Sequence, residues 1–285
     1  MTSGDEPGGL TARGGEVLTW GLPRLRDLPW RHTRDPWAIL VSEVMLQQTQ
    51  APRVVPKWLA FLSAFPTPST CAAAPLGDVL RLWQGLGYPR RARHLHAAAA
   101  ELARLDEFPR SLDGLLALPG VGQYTARAVL AFAFGADVAV VDTNIARVHA
   151  RVAGRTLKAR EAQALADSAV PEGMGWEWNQ CLMELGAVLC RPAPRCGECP
   201  VAPVCAWRGV GADPAVGSTG VSRPQARFEG SEREARGRLL KALSVGAVRS
   251  TDVAGVMQHP AADRLLAALC TEGLVHTDGR TVRLP

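Results

Sequence analysis

The chain is poor in lysine. Of its 32 basic residues only Lys57, Lys158 and Lys241 carry an amine, so chemistry that needs a nucleophilic lysine has three places to go. Tyrosine is scarcer still, with Tyr88 and Tyr124 the only two. No apolar run approaches the roughly 20 residues that a membrane span requires. The opening MTSGDEPGGLTARGG lacks the basic start and apolar core of a secretory signal. Both absences lead to the expectation of a cytoplasmic protein with no membrane partner. Seven cysteines in such a chain argue against a disulfide framework and for metal ligation or simple burial. There is no internal repeat, and no period-2 alternation before about Cys205.

What is present is 47% apolar composition over 285 residues, enough for a sizeable core and two domains. A net charge of +5 favours a polyanionic partner over a membrane surface. Residues 1–14 are Gly-rich and read as disordered. From Gly15 to about Cys205 helical patterns follow one another through short Pro/Gly turns. Residues 208–225 are rich in Gly, Ala, Ser and Pro without periodicity, the composition of a linker. Beyond them, residues 226–285 hold a helix from about Ser231 to Leu243, two shorter helical patterns and two extended pieces around an Asp278-Gly279 turn. Helices followed by a hairpin indicate a small winged-helix-like α+β unit.

Apolar helical spacing lies on both sides of Pro119, Gly120, Val121 and Gly122, too short a connection for anything but a sharp reversal. Glycines there permit positive φ and leave amides uncovered, so the second helix can receive a phosphate at its N-terminus. An ordinary glycine turn between helices would look the same on those four residues. Further on, Asp142 in VAVVDTNIARV precedes a helical pattern and reads as an N-cap. A carboxylate at a helix N-terminus is favoured in its ionised form.

In the N-terminal half, Asp35 and Pro36 open a helix on which Trp37, Leu40, Val41, Val44 and Met45 form an apolar stripe. Glu43, Gln47 and Gln50 share the adjacent edge. Partial burial at the border of a core raises a glutamate's pKa and suits it to proton donation near neutral pH. Cys190, Cys196, Cys199 and Cys205 crowd one short loop. Four thiolates so close hold either an iron-sulfur cluster or a structural zinc, and spacing alone does not separate the two. Cys71, Cys181 and Cys270 sit in apolar helical surroundings and read as core.

The run LPGVGxxTA resembles the hairpin of the helix-hairpin-helix DNA glycosylase superfamily, and PWRxxxxPWxxxxSEVMLQQTQ is very similar to its adenine glycosylases of the MutY family, here in a short, actinobacterial-like form. The resemblance covers about Gly15 to Trp207. It implies an all-α, two-lobed glycosylase fold: an iron-sulfur domain from residues 15–34 and 145–207, and a helical barrel from residues 35–144 that carries the hairpin. By the same likeness Glu43 is the catalytic acid, Asp142 the catalytic aspartate and Tyr124 an assisting tyrosine. Trp30 and Arg31 belong to the adenine pocket, with Glu184 behind it. Tyr88, in GLGYP, is a wedge into the helix, and Gln47 and Gln48 probe the duplex. Pro119, Gly120, Val121 and Gly122 hold a backbone phosphate. The cysteine loop resembles the 4Fe-4S ligand loop of the family, with five residues where six are usual between the first two ligands.

The implied activity is hydrolysis of the N-glycosidic bond of adenine mispaired with 8-oxoguanine or guanine, leaving an abasic site. Because Tyr124 stands where strand-cutting members carry a lysine, the enzyme is expected to be monofunctional. Double-stranded DNA containing the A:8-oxoG or A:G mispair is the implied partner, bound by a monomer on the nucleoid. The Nudix-like domain of many members has no counterpart in the residues after 225. Two other readings stand beside this one: a thymine or uracil mismatch glycosylase on the same fold, and a non-catalytic iron-sulfur DNA-binding regulator.

Overall fold

The computed structural model describes residues 9–221 and 227–285. Fourteen α-helices run through them. After α1 (Gly14–Gly21) come α2 (Pro36–Leu46), α3 (Ala51–Ala64), α4 (Pro68–Ala73), α5 (Leu76–Leu82) and α6 (Arg90–Leu102). The short α7 (Leu112–Leu116) and α8 (Gln123–Phe134) flank the glycine turn, and α9 (Thr143–Ala153), α10 (Ala159–Asp167) and α11 (Gly175–Val188) lead to the cysteine loop. The C-terminal residues form α12 (Glu232–Val245), β1 (Val248–Arg249), α13 (Val253–Met257), α14 (Ala262–Thr271), β2 (His276–Thr277) and β3 (Thr281–Arg283). The architecture is thus helical with one small C-terminal sheet, as the sequence led us to expect. Among the described residues no helix is long and apolar enough to cross a membrane.

The chain divides into two compact units, one of Met1–Pro36, Arg110–Leu112 and Gly122–Arg223, the other of Trp37–Pro109, Asp113–Val121 and Pro224–Pro285. In the first, α11 is the central element. Its Trp178, Cys181, Leu182 and Leu185 pack with Val17 of α1 and with Ile145 and Val148 of α9. Leu10 joins this cluster, 4% exposed, and a single 3-10 turn at Thr11–Arg13 carries the chain into α1. Of the terminus expected to lack order, residues 9–14 are therefore docked, because one leucine among the glycines finds the core; residues 1–8 lie outside the described residues.

Part of the expected linker is likewise fixed. Asp213 accepts hydrogen bonds from Arg151 at 2.6 and 3.1 Å, Ser218 Oγ accepts from the Leu157 amide at 3.0 Å, and Ala215 packs with Ala150, Leu157 and Ala162. Composition recorded the small residues but not these anchors. Residues 222–225 of that linker lie outside the described residues.

In the second unit, α2 departs from the amphipathic helix expected of it. Every residue from 37 to 45 is buried, including Ala38, Ile39 and Ser42 on the face opposite the stripe. A helix apolar on all sides belongs inside a core, and its few polar atoms are satisfied there: Ser42 Oγ donates to the Ile39 carbonyl, and Trp58 Nε1 to the Ala38 carbonyl. Phe61 anchors an aromatic group with Trp37, Phe65 and Trp83. The C-terminal sheet has the order β1-β3-β2, all antiparallel, and the Asp278 carboxylate accepts from the Arg280 and Thr281 amides to close the β2-β3 turn.

Candidate active site and cysteine loop

In the first unit, Asp142 caps α9. One carboxylate oxygen accepts from the Asn144 amide at 2.9 Å and the Ile145 amide at 2.7 Å; the other accepts from the Asn144 side chain at 2.9 Å. Burial raises the Asp142 pKa, while these three donors and the nearby Arg147 guanidinium pull against it. Asn144 itself is placed by Gly186 of α11. A Cβ at residue 186 would come within 2.5 Å of the Asn144 Cβ, so only glycine lets the two helices approach this closely. Arg147 then ties the cap to the cysteine loop, donating to Asn144 Oδ1 at 2.8 Å, to the Gly186 carbonyl at 2.7 Å and to the Cys190 carbonyl at 2.6 Å.

Cys190, Cys196, Cys199 and Cys205 all line one partly open pocket. The shortened spacing between the first two does not prevent all four from facing it. Arg151, its side chain 1% exposed, donates to Cys190 Sγ at 3.4 Å, and the Arg208 amide donates to Cys205 Sγ at 3.5 Å. Both sulfurs therefore have N–H donors suited to a thiolate or a bound cluster. Among the described residues no three His, Cys, Asp or Glu side chains are grouped to hold a single metal ion. Cys71 and Cys181 are fully buried, and burial pushes both thiols up to about 12, in keeping with an inert core role.

Trp30 lies in a 3-10 turn, 6% exposed. Its neighbour Arg31 points at α11, donating to Gln180 Oε1 at 2.7 Å and lying 2.8 Å from Glu184 Oε1. Arg26 adds a second guanidinium, at 2.9 and 3.0 Å from the two Glu184 oxygens. Burial lowers the Arg31 pKa against the pull of that carboxylate. Arg31 and Glu184 are thus one buried pair that fixes the Trp30 turn to α11.

In the second unit, Glu43 sits deep in α2 with 4% exposure. Gln47 and Gln48 follow the helix end, and Gln48 is exposed with φ 57°, left-handed for a residue with a side chain. Tyr88 is similar at φ 49°. A residue that sequence reasoning missed, Arg91, joins these two loops. It donates to the carbonyls of Val44, Met45 and Gln47 on one side and of Leu86 and Gly87 on the other, at 2.6 to 3.0 Å, and to Thr49 Oγ1 at 3.2 Å. Among the described residues no carboxylate pairs with it, and burial lowers its pKa to about 10. A signal existed: Arg91 shares the α6 stripe of Leu95, Ala98 and Leu102, an unusual place for a charge.

The glycine turn behaves as expected. Gly120 has φ 76° and a Cβ there would meet His94 Cβ at 2.5 Å, so both conformation and space demand glycine. Gly122 is the N-cap of α8 and offers no side chain to its first amides. Tyr124 lies half-buried in the first turn of that helix. Pro119, Gly120 and Val121 line a concavity of about 280 Å³ together with Gln47, Arg91 and His94. Glu43, Gln47, Gln48, Tyr88, Pro119, Gly120 and Val121 belong to the second unit; Trp30, Arg31, Gly122, Tyr124, Asp142, Glu184 and the four loop cysteines belong to the first.

Residues 41–172 match the HhH-GPD superfamily of base excision DNA repair proteins. The chain is 42% identical over 279 residues to the adenine DNA glycosylase of Mycolicibacterium smegmatis, covering 93% of this chain and 94% of that protein. It is 43% identical over 280 residues to that of Mycobacterium tuberculosis, covering 93% and 91%. The human adenine DNA glycosylase is 39% identical over 217 residues, 70% of this chain and 40% of the human one. Among solved structures, a thermostable thymine-DNA glycosylase superposes with TM-score 0.67 at 31% identity, covering 70% of this chain and 96% of that one. A non-covalent endonuclease III–DNA complex superposes with TM-score 0.60 at 25% identity, covering 68% and 92%.

Proposed function

The chain belongs to the adenine DNA glycosylase family of base excision repair enzymes, and from that premise we propose that it hydrolyses the N-glycosidic bond of adenine mispaired with 8-oxoguanine or guanine, leaving an abasic site. The observation that carries this reading is the Asp142 carboxylate, held at a helix N-terminus by three N–H donors. Family membership carries enzymatic function and sets aside a non-catalytic regulator.

Double-stranded DNA is the partner. Adenine in a duplex is stacked and paired, so it is extruded at a cost of about a few kcal/mol. Tyr88 and the Gln47-Gln48 turn enter the gap, while Gly122 and the first amides of α8 take a backbone phosphate. Trp30, fixed by the Arg31–Glu184 pair, walls the extruded base, and Tyr124 borders it. An adenine anion leaves poorly; Glu43 removes that obstacle by donating its proton to the purine. As the C1'–N9 bond breaks, ionised Asp142 offsets the positive charge on the sugar, and water completes the hydrolysis. One carboxylic acid at the leaving group and one carboxylate at the sugar are the pattern of retaining glycosidases. None of the three lysines lies in the hairpin, so no Schiff base forms and the strand is not cut.

Cys190, Cys196, Cys199 and Cys205 line one pocket, and the likeness of their loop to the family's ligand loop favours a 4Fe-4S cluster there over zinc. When bound, the cluster cross-links the loop. Arg151 and the Arg208 amide supply N–H donors to its cysteine sulfurs. Protein purified without oxygen should contain about four iron and four sulfide per chain; stoichiometric zinc would overturn the assignment.

The function is tested by incubating the protein with duplexes carrying A opposite 8-oxoguanine, A opposite G, T opposite G or U opposite G, followed by alkali. Breaks at adenine in the first two duplexes, appearing only after alkali, are the expected result. Excision of T or U with adenine untouched would place the chain functionally with the thymine-DNA glycosylase.

A further inference from the structure

The C-terminal residues pack against one segment of the helical unit to which they belong. The Gly77 amide, at the start of α5, donates to the Pro285 carbonyl at 2.9 Å. Gln84 Nε2 donates to the Leu240 carbonyl of α12 at 3.3 Å. Two further contacts fall on the loop that carries Tyr88. Arg233 of α12 donates to the Tyr88 hydroxyl at 3.0 Å. Glu272, just past α14, pairs with Arg90 at 2.7 Å and with Arg236 of α12. Burial works to raise the Glu272 carboxyl, yet hydrogen bonds from Arg236 and Arg90 hold it down at about 2.

The backbone of the same loop is held from the other side. Arg91 and Trp83 Nε1 bond the Leu86 and Gly87 carbonyls, which keeps Tyr88 in its left-handed conformation. A left-handed tyrosine is strained and persists only where its surroundings over-determine it. The helical barrel fixes the main chain and sets the Arg91 guanidinium 5.5 Å from the Tyr88 ring centroid, while the Tyr88 hydroxyl takes a hydrogen bond from Arg233 of α12.

We infer that the C-terminal unit is a positioning device for the wedge: Arg233 orients the Tyr88 ring, and the Arg90–Glu272–Arg236 bridge holds α12 and α14 against the loop so that it can. This rests on Tyr88 entering the duplex as proposed above. It gives the C-terminal residues a part in base extrusion. Arg233 touches no reacting atom; it acts through Tyr88.

The test uses the full-length protein and two duplexes. One carries A opposite G and reads single-turnover excision at saturating enzyme. The other carries 2'-fluoro-2'-deoxyadenosine, which resists hydrolysis, with 2-aminopurine as its neighbour, so fluorescence reports unstacking without excision. Arg233→Ala should lower the fluorescence rise and the single-turnover rate several-fold, with duplex affinity changed less than twofold. Tyr88→Phe should do the same, and the double variant should be no worse than the poorer single one, because both remove one bond. Glu272→Gln should show the same defect more weakly. Losses that multiply in the double variant, or an Arg233→Ala effect confined to affinity with full fluorescence amplitude, would overturn the inference. Arg233 is part-exposed, so its variant should fold even if Glu272→Gln does not. A wild-type protein that unstacks the probe but leaves adenine in place counts against the proposed reaction, and the fluorescence arm still judges the positioning role.

Discussion

Asp142→Asn should lower adenine excision by about a hundred- to a thousandfold, the loss typical of removing one charge-stabilising group from a transition state. The fold should survive, because asparagine is as good an N-cap as aspartate and its side-chain oxygen can still accept from the Asn144 and Ile145 amides. Duplex affinity should change little, since the lost interaction grows only as the sugar becomes cationic. Glu43→Gln, which removes the donated proton but keeps shape, should cost about a hundred- to ten-thousandfold. The two variants should differ in their pH profiles. Asp142 works ionised, so activity falls as pH drops through its pKa, and burial moves that point above 3.8. This acid limb should vanish in the residual activity of Asp142→Asn and remain in Glu43→Gln. Single-turnover excision against pH measures both, and normal turnover by either variant removes that carboxylate from the mechanism.

Arg91→Lys is expected to be nearly as damaging to stability as Arg91→Met. Five carbonyls and one hydroxyl share this guanidinium, and an unsatisfied buried polar group costs about 1 to 3 kcal/mol. The six losses are not additive, so a total on the order of 3 kcal/mol is the reasonable figure. For a domain of about 150 to 250 residues that corresponds to a melting point lower by roughly 6–12 °C. Lysine fails because three donors on one point cannot reach two loops at once, as a planar fork can. Thermal melts monitored by far-UV circular dichroism give the answer; a lysine variant melting within a degree or two of wild type would show that the loops hold themselves. Excision should fall as well, because exposed Gln48 and half-buried Tyr88 lie on the two loops that Arg91 joins.

Much of this site could be read from residue order alone, and the exceptions have a common cause. The reversal at residues 119–122, the cap at Asp142 and the closing turn at Asp278 are local events, decided by side chains a few positions apart, and all three stand where their spacing put them. The cysteine loop is compact enough in sequence that a shared cavity follows almost from chain length. What periodicity misjudged is α2, because a helical wheel shows which face is most apolar but not how many neighbours surround it. Arg31 and Glu184 lie far apart along the chain, and nothing local to either announces the other. Nothing local marks the partners of Arg91, because the carbonyls that claim it belong to other turns of the chain. Residues 208–221 look featureless by composition although Asp213 and Ser218 are specific anchors.

The glycine at residue 186 acts as a spacer of zero thickness between α9 and α11. Any side chain there can only wedge the helices apart, and the atoms moved first are the amide that braces the Asp142 carboxylate and the carbonyl that receives Arg147. A single methyl group, meeting Asn144 first, would thus disturb both ends of the line from the carboxylate to Cys190. Inherited or engineered damage at that position should mimic a fault in the chemistry while leaving every reacting residue in the sequence intact.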